Sequence, residues 1–297
     1  MRIAAADIGT NSCRLLIAEI IDGRLVSVLK KVVSTRLGEG LLESGWLHPK
    51  AIKRTVDCLL NFRDMMHGYQ VSSYRVVATS AVREAVNRED FLAVAEEETG
   101  LSIHVIDGEE EAWLVWEGVA RSLSFPELPL VADLGAGSTE FIYAGQDPVI
   151  KSVKVGAVKA TEGNWSKEDI RNELVEVLEL APRFRKNPLV LTGGTPTTLV
   201  AIKKGLTQYD PDLVHGQKLT YRDVTDLYQM LDEMPLDRRR RLPGLQPARA
   251  DIVVKGVLIV LVIMEGFGKD EITVSESDLL EGIIWGLAGA SPWCLKV

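Results

Sequence analysis

The chain has 297 residues, 46% of them hydrophobic and 26% charged, which excludes a disordered polymer and leaves room for two ordinary domains. Lys plus Arg number 34 and Asp plus Glu 42, so the net charge is −8. That argues against non-specific nucleic-acid binding and requires any polyanion site to be locally basic. The most apolar run, Val257 to Met264, falls far short of the roughly 20 residues needed to span a bilayer. Asp7 comes too early for a secretory leader. The cysteines, Cys13, Cys58 and Cys294, are too scattered for a disulfide framework or a zinc site. The four histidines, His48, His67, His104 and His215, show no ligand spacing either. A cytoplasmic chain with no membrane partner is expected.

In chain order, an apolar strand runs from Arg2 into Asp7-Ile8-Gly9-Thr10-Asn11-Ser12, and a second apolar segment follows from Cys13 to Ile20. Asp22-Gly23 then separates it from Arg24 to Leu29, a strong hairpin signal. Pro49 to His67 reads as an amphipathic helix, with Ile52, Val56, Leu59, Leu60 and Arg63 at helical spacing. A short buried strand covers Tyr74 to Thr79, a helix Asn87 to Thr99 ended by Gly100, a strand Ser102 to Ile106, and a helix Glu109 to Ser122. Pro126 and Pro129 mark a linker, giving domains 1–124 and 125–297.

The second half restates the first. Leu130 to Thr139 reads Leu-Val-Ala-Asp-Leu-Gly-Ala-Gly-Ser-Thr, and Glu140 to Ala144, a Gly145–Pro148 turn and Val149 to Val153 follow. Each copy is thus an apolar strand ending in Asp-x-Gly-x-x-Ser and continuing as a hairpin of three antiparallel strands. Ser166 to Leu180 reads as a helix capped by Ser166, Leu189 to Leu191 as a strand, and helices follow at Pro196–Lys204, Tyr221–Glu233, Ala248–Gly266 and Ser277–Ala288. Hairpins followed by alternating strands and helices, stated twice, predict two similar α/β domains with a ligand cleft between them.

The repeated turns carry the chemistry. An Asp at the end of a buried strand is costly unless paired, hydrogen-bonded or bound to metal, and here it occurs at both Asp7 and Asp133. Gly9, Gly135 and Gly137 free the backbone to converge amides on an anion, and Thr10, Asn11, Ser12, Ser138 and Thr139 add polar groups. Asp7, Asp133 and Glu140 are hard oxygen ligands suited to Mg²⁺. Either Asp-x-Gly turn alone is only a hairpin turn; the duplication is what points to phosphate. Thr192-Gly193-Gly194-Thr195 joins a strand to a helix, a third phosphate or nucleotide seat. Arg83 follows a strand where a guanidinium can clamp phosphate or form a surface ion pair. Glu109-Glu110-Glu111 opens a helix, where acidic residues ordinarily complement the dipole. Arg238 to Arg241 is the one dense basic run, read equally as a solvated segment or a polyanion contact.

Taken together, these segments resemble the exopolyphosphatase / guanosine pentaphosphate phosphohydrolase family, within the actin, sugar-kinase and heat-shock-chaperone superfamily. The matching stretches are Asp7 to Ser12, Thr79 to Asn87, Gly108 to Ala112, Asp133 to Glu140, Thr192 to Thr195, Arg249-Ala250-Asp251 with Gly256, and Glu281-Gly282. They are collinear across nearly the whole chain. The resemblance implies two actin-like (ribonuclease H-like) domains and a C-terminal helix, about 277–288, that packs back on the first. It implies Mg²⁺-assisted attack of water on the terminal phosphate of polyphosphate or guanosine pentaphosphate, and a homodimer. By the same resemblance Glu111 is the general base, and Asp133 and Glu140 serve the metal and the nucleophilic water. Thr10 to Ser12, Arg83 and Gly135 to Thr139 then hold phosphates. Ala136 departs from the usual Gly-Gly-Gly-Ser turn, Leu280 stands where arginine is common, and the extra helical domain of longer members is missing. Two other functions stay open on the residues: an ATP-dependent small-molecule kinase, and a non-enzymatic actin-like switch.

Overall fold

The computed structural model describes residues 1–289, so Cys294 lies outside the described residues. The chain divides into two compact units, Met1–Gly118 together with the segment that begins at Asp278, and Val119–Ser277.

The first unit is built on a five-stranded sheet. β1 (Arg2–Ile8), β2 (Cys13–Ile21) and β3 (Arg24–Val33) form the antiparallel hairpins, and β4 (Ser73–Ala78) and β5 (Ile103–Val105) add parallel strands, in the order β3-β2-β1-β4-β5. β1 is central and buried from Ile3 to Ile8. That is why its sequence is a continuous apolar run rather than an alternating one. The β2–β3 turn places Asp22 at φ 50° and Gly23 at φ 73°, the doubly left-handed geometry that matches strand twist and selects Asp-Gly. After a short α1 (Leu41–Ser44), α2 (Pro49–Gly68) starts with Pro in its first turn and His48 accepting from the Lys50 amide at 3.2 Å. Its inward face, Val56, Leu59, Phe62 and Met66, enters the core against β1 and β2, and each such side chain contributes about 1.5–3 kcal/mol on burial. α3 (Ser80–Glu84) and α4 (Arg88–Thr99) follow, the latter closed by Gly100 at φ 69°. α5 (Gly108–Ser122) contains the point where the chain passes from the first unit to the second.

The second unit repeats the plan. β6 (Leu130–Leu134), β7 (Thr139–Tyr143) and β8 (Val149–Val153) make the hairpins. α6 (Ala157–Glu162), α7 (Lys167–Glu173) and α8 (Val175–Leu178) lead to β9 (Leu189–Thr192) and α9 (Gly194–Lys203). Then come α10 (Pro211–Val214), β10 (Lys218–Thr220), α11 (Tyr221–Glu233), α12 (Leu236–Arg239), α13 (Val253–Gly266), β11 (Glu271–Val274) and α14 (Leu279–Leu287). The sheet order is β10-β11-β9-β6-β7-β8. Five of these strands, read β8-β7-β6-β9-β11, reproduce the order and directions of β3-β2-β1-β4-β5. α13 is buried on almost every side, as expected of a helix apolar all round.

Three expectations change. The helix expected over Ser166 to Leu180 breaks at Leu174 into α7 and α8, which brings Ile170, Leu174 and Val177 together into the core; tertiary burial outweighs local propensity there. The helix expected from Ala248 starts only at Val253, after a 3₁₀ turn at Pro247–Arg249. Arg239 takes the Ala250 carbonyl with Nη1 at 2.9 Å, so a side chain satisfies that acceptor. β10 and β11 were not anticipated, being too short to show a period.

Candidate active site

The first Asp-x-Gly turn joins β1 to β2. It closes with the Gly9 amide donating to the Ser12 carbonyl at 3.1 Å, and a Cβ at Gly9 would stand 3.0 Å from that oxygen. Thr10, Asn11 and Ser12 are all buried. Their backbone is braced by the following loop, where the Arg36 amide donates to the Asn11 carbonyl at 2.9 Å and the Gly38 amide to the Thr10 carbonyl at 2.9 Å. Asn11 Nδ2 donates to Ser12 Oγ at 3.2 Å. Asp7, 4% exposed, sits directly opposite Arg14 in the β1–β2 register. Arg14 brings both Nε and Nη2 to the same oxygen, Oδ2, at 2.8 Å. Asp7 Oδ1 is buried with no hydrogen-bond partner among the described residues. Burial pushes the Asp7 carboxyl up from its ordinary value, while Arg14 opposes the rise.

Arg83 and Glu111 meet each other. Arg83, on α3, donates through Nη1 to Glu111 Oε2 at 3.0 Å and to the Ile106 carbonyl at the end of β5 at 2.8 Å. The three glutamates of the α5 first turn are sorted by helical phase. Glu109 faces out, Glu110 pairs with Arg75 at 2.6 Å, and Glu111, 6% exposed, turns inward to Arg83. Only Glu111 is therefore a buried carboxylate held in one orientation.

The second Asp-x-Gly turn, between β6 and β7, closes like the first, with the Gly135 amide on the Ser138 carbonyl at 3.0 Å. Asp133 lies directly opposite Glu140 in the β6–β7 register, and both are buried, at 7% and 1% exposure. Ser152 Oγ donates to Glu140 Oε1 at 2.7 Å. The Ala136 carbonyl accepts from the Val158 amide at 2.9 Å, and a Cβ at Gly156 would lie 2.3 Å from that oxygen. The first turn of α6 is thereby locked onto the second glycine turn. Thr139 Oγ1 is committed to the Val155 carbonyl at 2.6 Å.

The third glycine element sits beside the second. Gly193, at φ 98°, leaves no room for a side chain, because a Cβ would lie 2.4 Å from the Leu134 carbonyl and 2.9 Å from Asp133 Oδ1. Gly194 is equally enclosed, by the Arg249 guanidinium. Thr197 and Thr198 bond back to the Gly193 and Gly194 carbonyls at 3.0 and 2.6 Å, and Thr195 Oγ1 faces Gly256 on α13. What this element offers a ligand is the α9 N-terminus and Arg249, and its threonine side chains hold the helix. In the basic run, Arg239 donates to the Met234 and Ala250 carbonyls and Arg240 pairs with Asp237.

The residues fit a divalent cation. Asp7 has a buried oxygen lacking a partner, and Asp133 and Glu140 are buried carboxylates set opposite each other, hard oxygen donors of the kind Mg²⁺ takes. No group of three His, Cys, Asp or Glu side chains that would hold a metal ion occurs among the described residues. One or two carboxylates, with water and phosphate oxygens completing the shell, is the usual habit of Mg²⁺.

Comparison with known proteins settles the family. The model of the Ppx/GppA phosphatase family matches residues 16–290. The chain belongs to the Ppx/GppA phosphatase family. It is 33% identical to exopolyphosphatase 2 of Mycobacterium tuberculosis, over 97% of this chain and 99% of that protein. It is also 33% identical to a bifunctional 3-dehydroquinate synthase/phosphatase of Fusobacterium nucleatum, covering 95% of this chain but 46% of that longer protein. The crystal structure of an exopolyphosphatase from Cytophaga hutchinsonii superposes with a TM-score of 0.89 at 25% identity, over 98% of this chain and 99% of that one. The two-unit α/β architecture of this Ppx/GppA family member is the actin-like ATPase fold.

One residue of this Ppx/GppA chain escaped the sequence reading. Arg14 follows Asp7 at the spacing by which Glu140 follows Asp133, so aligning the repeats two positions past the serines would have singled it out. Lys159, which the sequence offers with Lys151 and Lys154 as a basic segment, is buried on α6 at 7% exposure, in the helix bonded to the second glycine turn; its burial has no local signature. No helix among the described residues is long and apolar enough to cross a membrane.

Proposed function

We propose that this chain releases terminal orthophosphate from inorganic polyphosphate, guanosine pentaphosphate or both, by attack of water on the terminal phosphorus. The observation that carries the reading is the Arg83–Glu111 pair, a buried carboxylate held at 3.0 Å by a guanidinium at the end of β5. Glu111 accepts the proton of the attacking water. The phosphoanhydride P–O bond breaks, and the shortened chain leaves with the electron pair of that bond. Arg83 orients Glu111 and brings positive charge for a phosphate, and the amides and hydroxyls of Thr10 to Ser12 and of Gly135, Gly137 and Ser138 receive phosphate oxygens. The Gly193-Gly194 turn and Arg249 add donors at the α9 N-terminus. Asp133 and Glu140, with Asp7, would hold a divalent cation such as Mg²⁺, which when bound neutralises phosphate charge. Most of the acceleration then comes from positioning and charge neutralisation.

The names of the M. tuberculosis and C. hutchinsonii proteins make polyphosphate the first substrate to try. Phosphate release should be measured from long polyphosphate, short polyphosphate and guanosine pentaphosphate with added Mg²⁺, in wild type and Glu111→Gln. Loss of a general base costs on the order of 10²–10⁴-fold. A variant as active as the wild type, or no substrate cleaved, overturns the proposal.

A further inference from the structure

The carboxylate with the orphaned oxygen in the first unit is held by residues that begin at opposite ends of the chain. Arg14 spends Nε and Nη2 on Asp7 Oδ2 and extends Nη1 to Asp278 Oδ2. Asp278 is the residue at which the chain re-enters the first unit, and its own position is over-determined. Its Oδ1 accepts from the Leu280 amide at 3.1 Å, its amide donates to Glu281 Oε2 at 2.9 Å, and its carbonyl lies where a Cβ at Gly118 would come within 2.2 Å. Glu281 is tied in turn to Lys30 on β3 at 3.1 Å. Asp7, Asp278 and Glu281 are all under 10% exposed. Within this network Asp7 Oδ1 is the carboxylate oxygen left buried with no hydrogen-bond partner among the described residues.

We infer that Arg14 and Asp278 are positioning residues for Asp7: the capping residue of α14 fixes Arg14, and Arg14, bonding Asp7 at Oδ2, leaves Oδ1 as the acceptor for a divalent cation. The inference rests on the reading of Asp7 as a cation ligand and adds what sets its geometry. Partners of this kind that orient a ligating carboxylate typically change metal affinity 10- to 100-fold when replaced.

The test is Mn²⁺ binding by the full chain, followed by electron paramagnetic resonance in the presence of methylenediphosphonate, which is not cleaved. Asp278→Asn retains a capping oxygen for Leu280 and removes the charge facing Arg14. Arg14→Lys retains the charge and loses the fork, and serves as the second variant should Asp278→Asn fold poorly. Both are expected to weaken Mn²⁺ at least about 10-fold and to lower kcat with little change in KM for polyphosphate. Melting temperatures reduced with Mn²⁺ affinity kept at the wild-type level would mean a structural tie only, and would overturn the inference. Asp7→Asn separates the two layers. If it weakens Mn²⁺ while the other two do not, Asp7 remains a ligand and the positioning role fails. If it leaves Mn²⁺ unchanged, or the wild type takes up none, both fail.

Discussion

The β1–β2 and β6–β7 turns share one backbone and differ in one charge. Both close with a glycine amide on a serine carbonyl, at 3.1 and 3.0 Å, and both follow a strand that buries an aspartate. The residue directly across the ladder is Arg14 in the first and Glu140 in the second. In the first turn the aspartate's charge is half-neutralised from within and its direction is set by a side chain. In the second, two carboxylates stand opposite each other across the ladder. Duplication supplied the same glycine turn twice, and a single cross-strand position made one copy an Asp–Arg pair and the other an acidic pair.

Predictions follow from pressing on that position. The largest effect is expected at Glu140→Gln, which keeps the Ser152 hydrogen bond but halves the acidic pair. Phosphate release should fall on the order of 10³-fold, the scale of several kcal/mol of charge stabilisation. Because like charges across a ladder are mildly destabilising, its melting temperature without added cation should not fall. A large drop in both would show the pair to be structural.

Arg14→Met should have the reverse profile in stability. Removing one partner of a buried ion pair leaves an uncompensated charge and costs about 3–5 kcal/mol, here at both Asp7 and Asp278. Urea unfolding reads this directly, and a loss under about 1 kcal/mol, the scale of an exposed pair, would place the arginine at an exposed, uncoupled site.

A smaller effect is expected in acid. Burial works against ionisation of Asp278, yet Arg14, Lys30 and the Leu280 amide outweigh it and hold the carboxyl below its ordinary 3.8. A carboxyl depressed on folding stabilises the native state above its unfolded value, and that contribution disappears as pH falls through the folded value. The wild type should therefore lose stability below pH 3.8 more steeply than Asp278→Asn. Asp7 and Glu281 are raised by burial and act with the opposite sign, so their contribution weakens as pH rises past their ordinary values. Parallel acid limbs in the two proteins would contradict the assignment to Asp278.

The smallest effect belongs to a turn outside the comparison. Gly23→Ala, at φ 73° with open space around it, should cost about 1–2 kcal/mol for the left-handed backbone and leave phosphate release unchanged. Gly193→Ala, also at positive φ but with a carbonyl 2.4 Å from the new carbon, should cost more stability than Gly23→Ala.

Much of this was legible without coordinates, because it depends on near neighbours in the chain. Strand burial, the Asp22-Gly23 hairpin, the duplicated turns and most helices follow from periodicity and backbone freedom, and these are local properties. Helical phase already contained the sorting of Glu109, Glu110 and Glu111, though only the partners Arg75 and Arg83 reveal which one is buried. The break at Leu174 and the late start of α13 were not legible, since a core and a distant arginine decide them.

The sequence by itself determined the two-unit α/β plan, the duplicated glycine turns and the acidic residues at their strand ends, since a buried aspartate before a glycine turn constrains chemistry wherever it folds. The tertiary structure decided which groups those residues face. Arg14 and Asp278 are separated by 264 positions, Arg83 and Glu111 by 28, and Asp133 touches the Gly193 turn only because β6 and β9 pair in parallel. Pairings of that kind arise from strand order and helix packing, for which a chain carries no local signal.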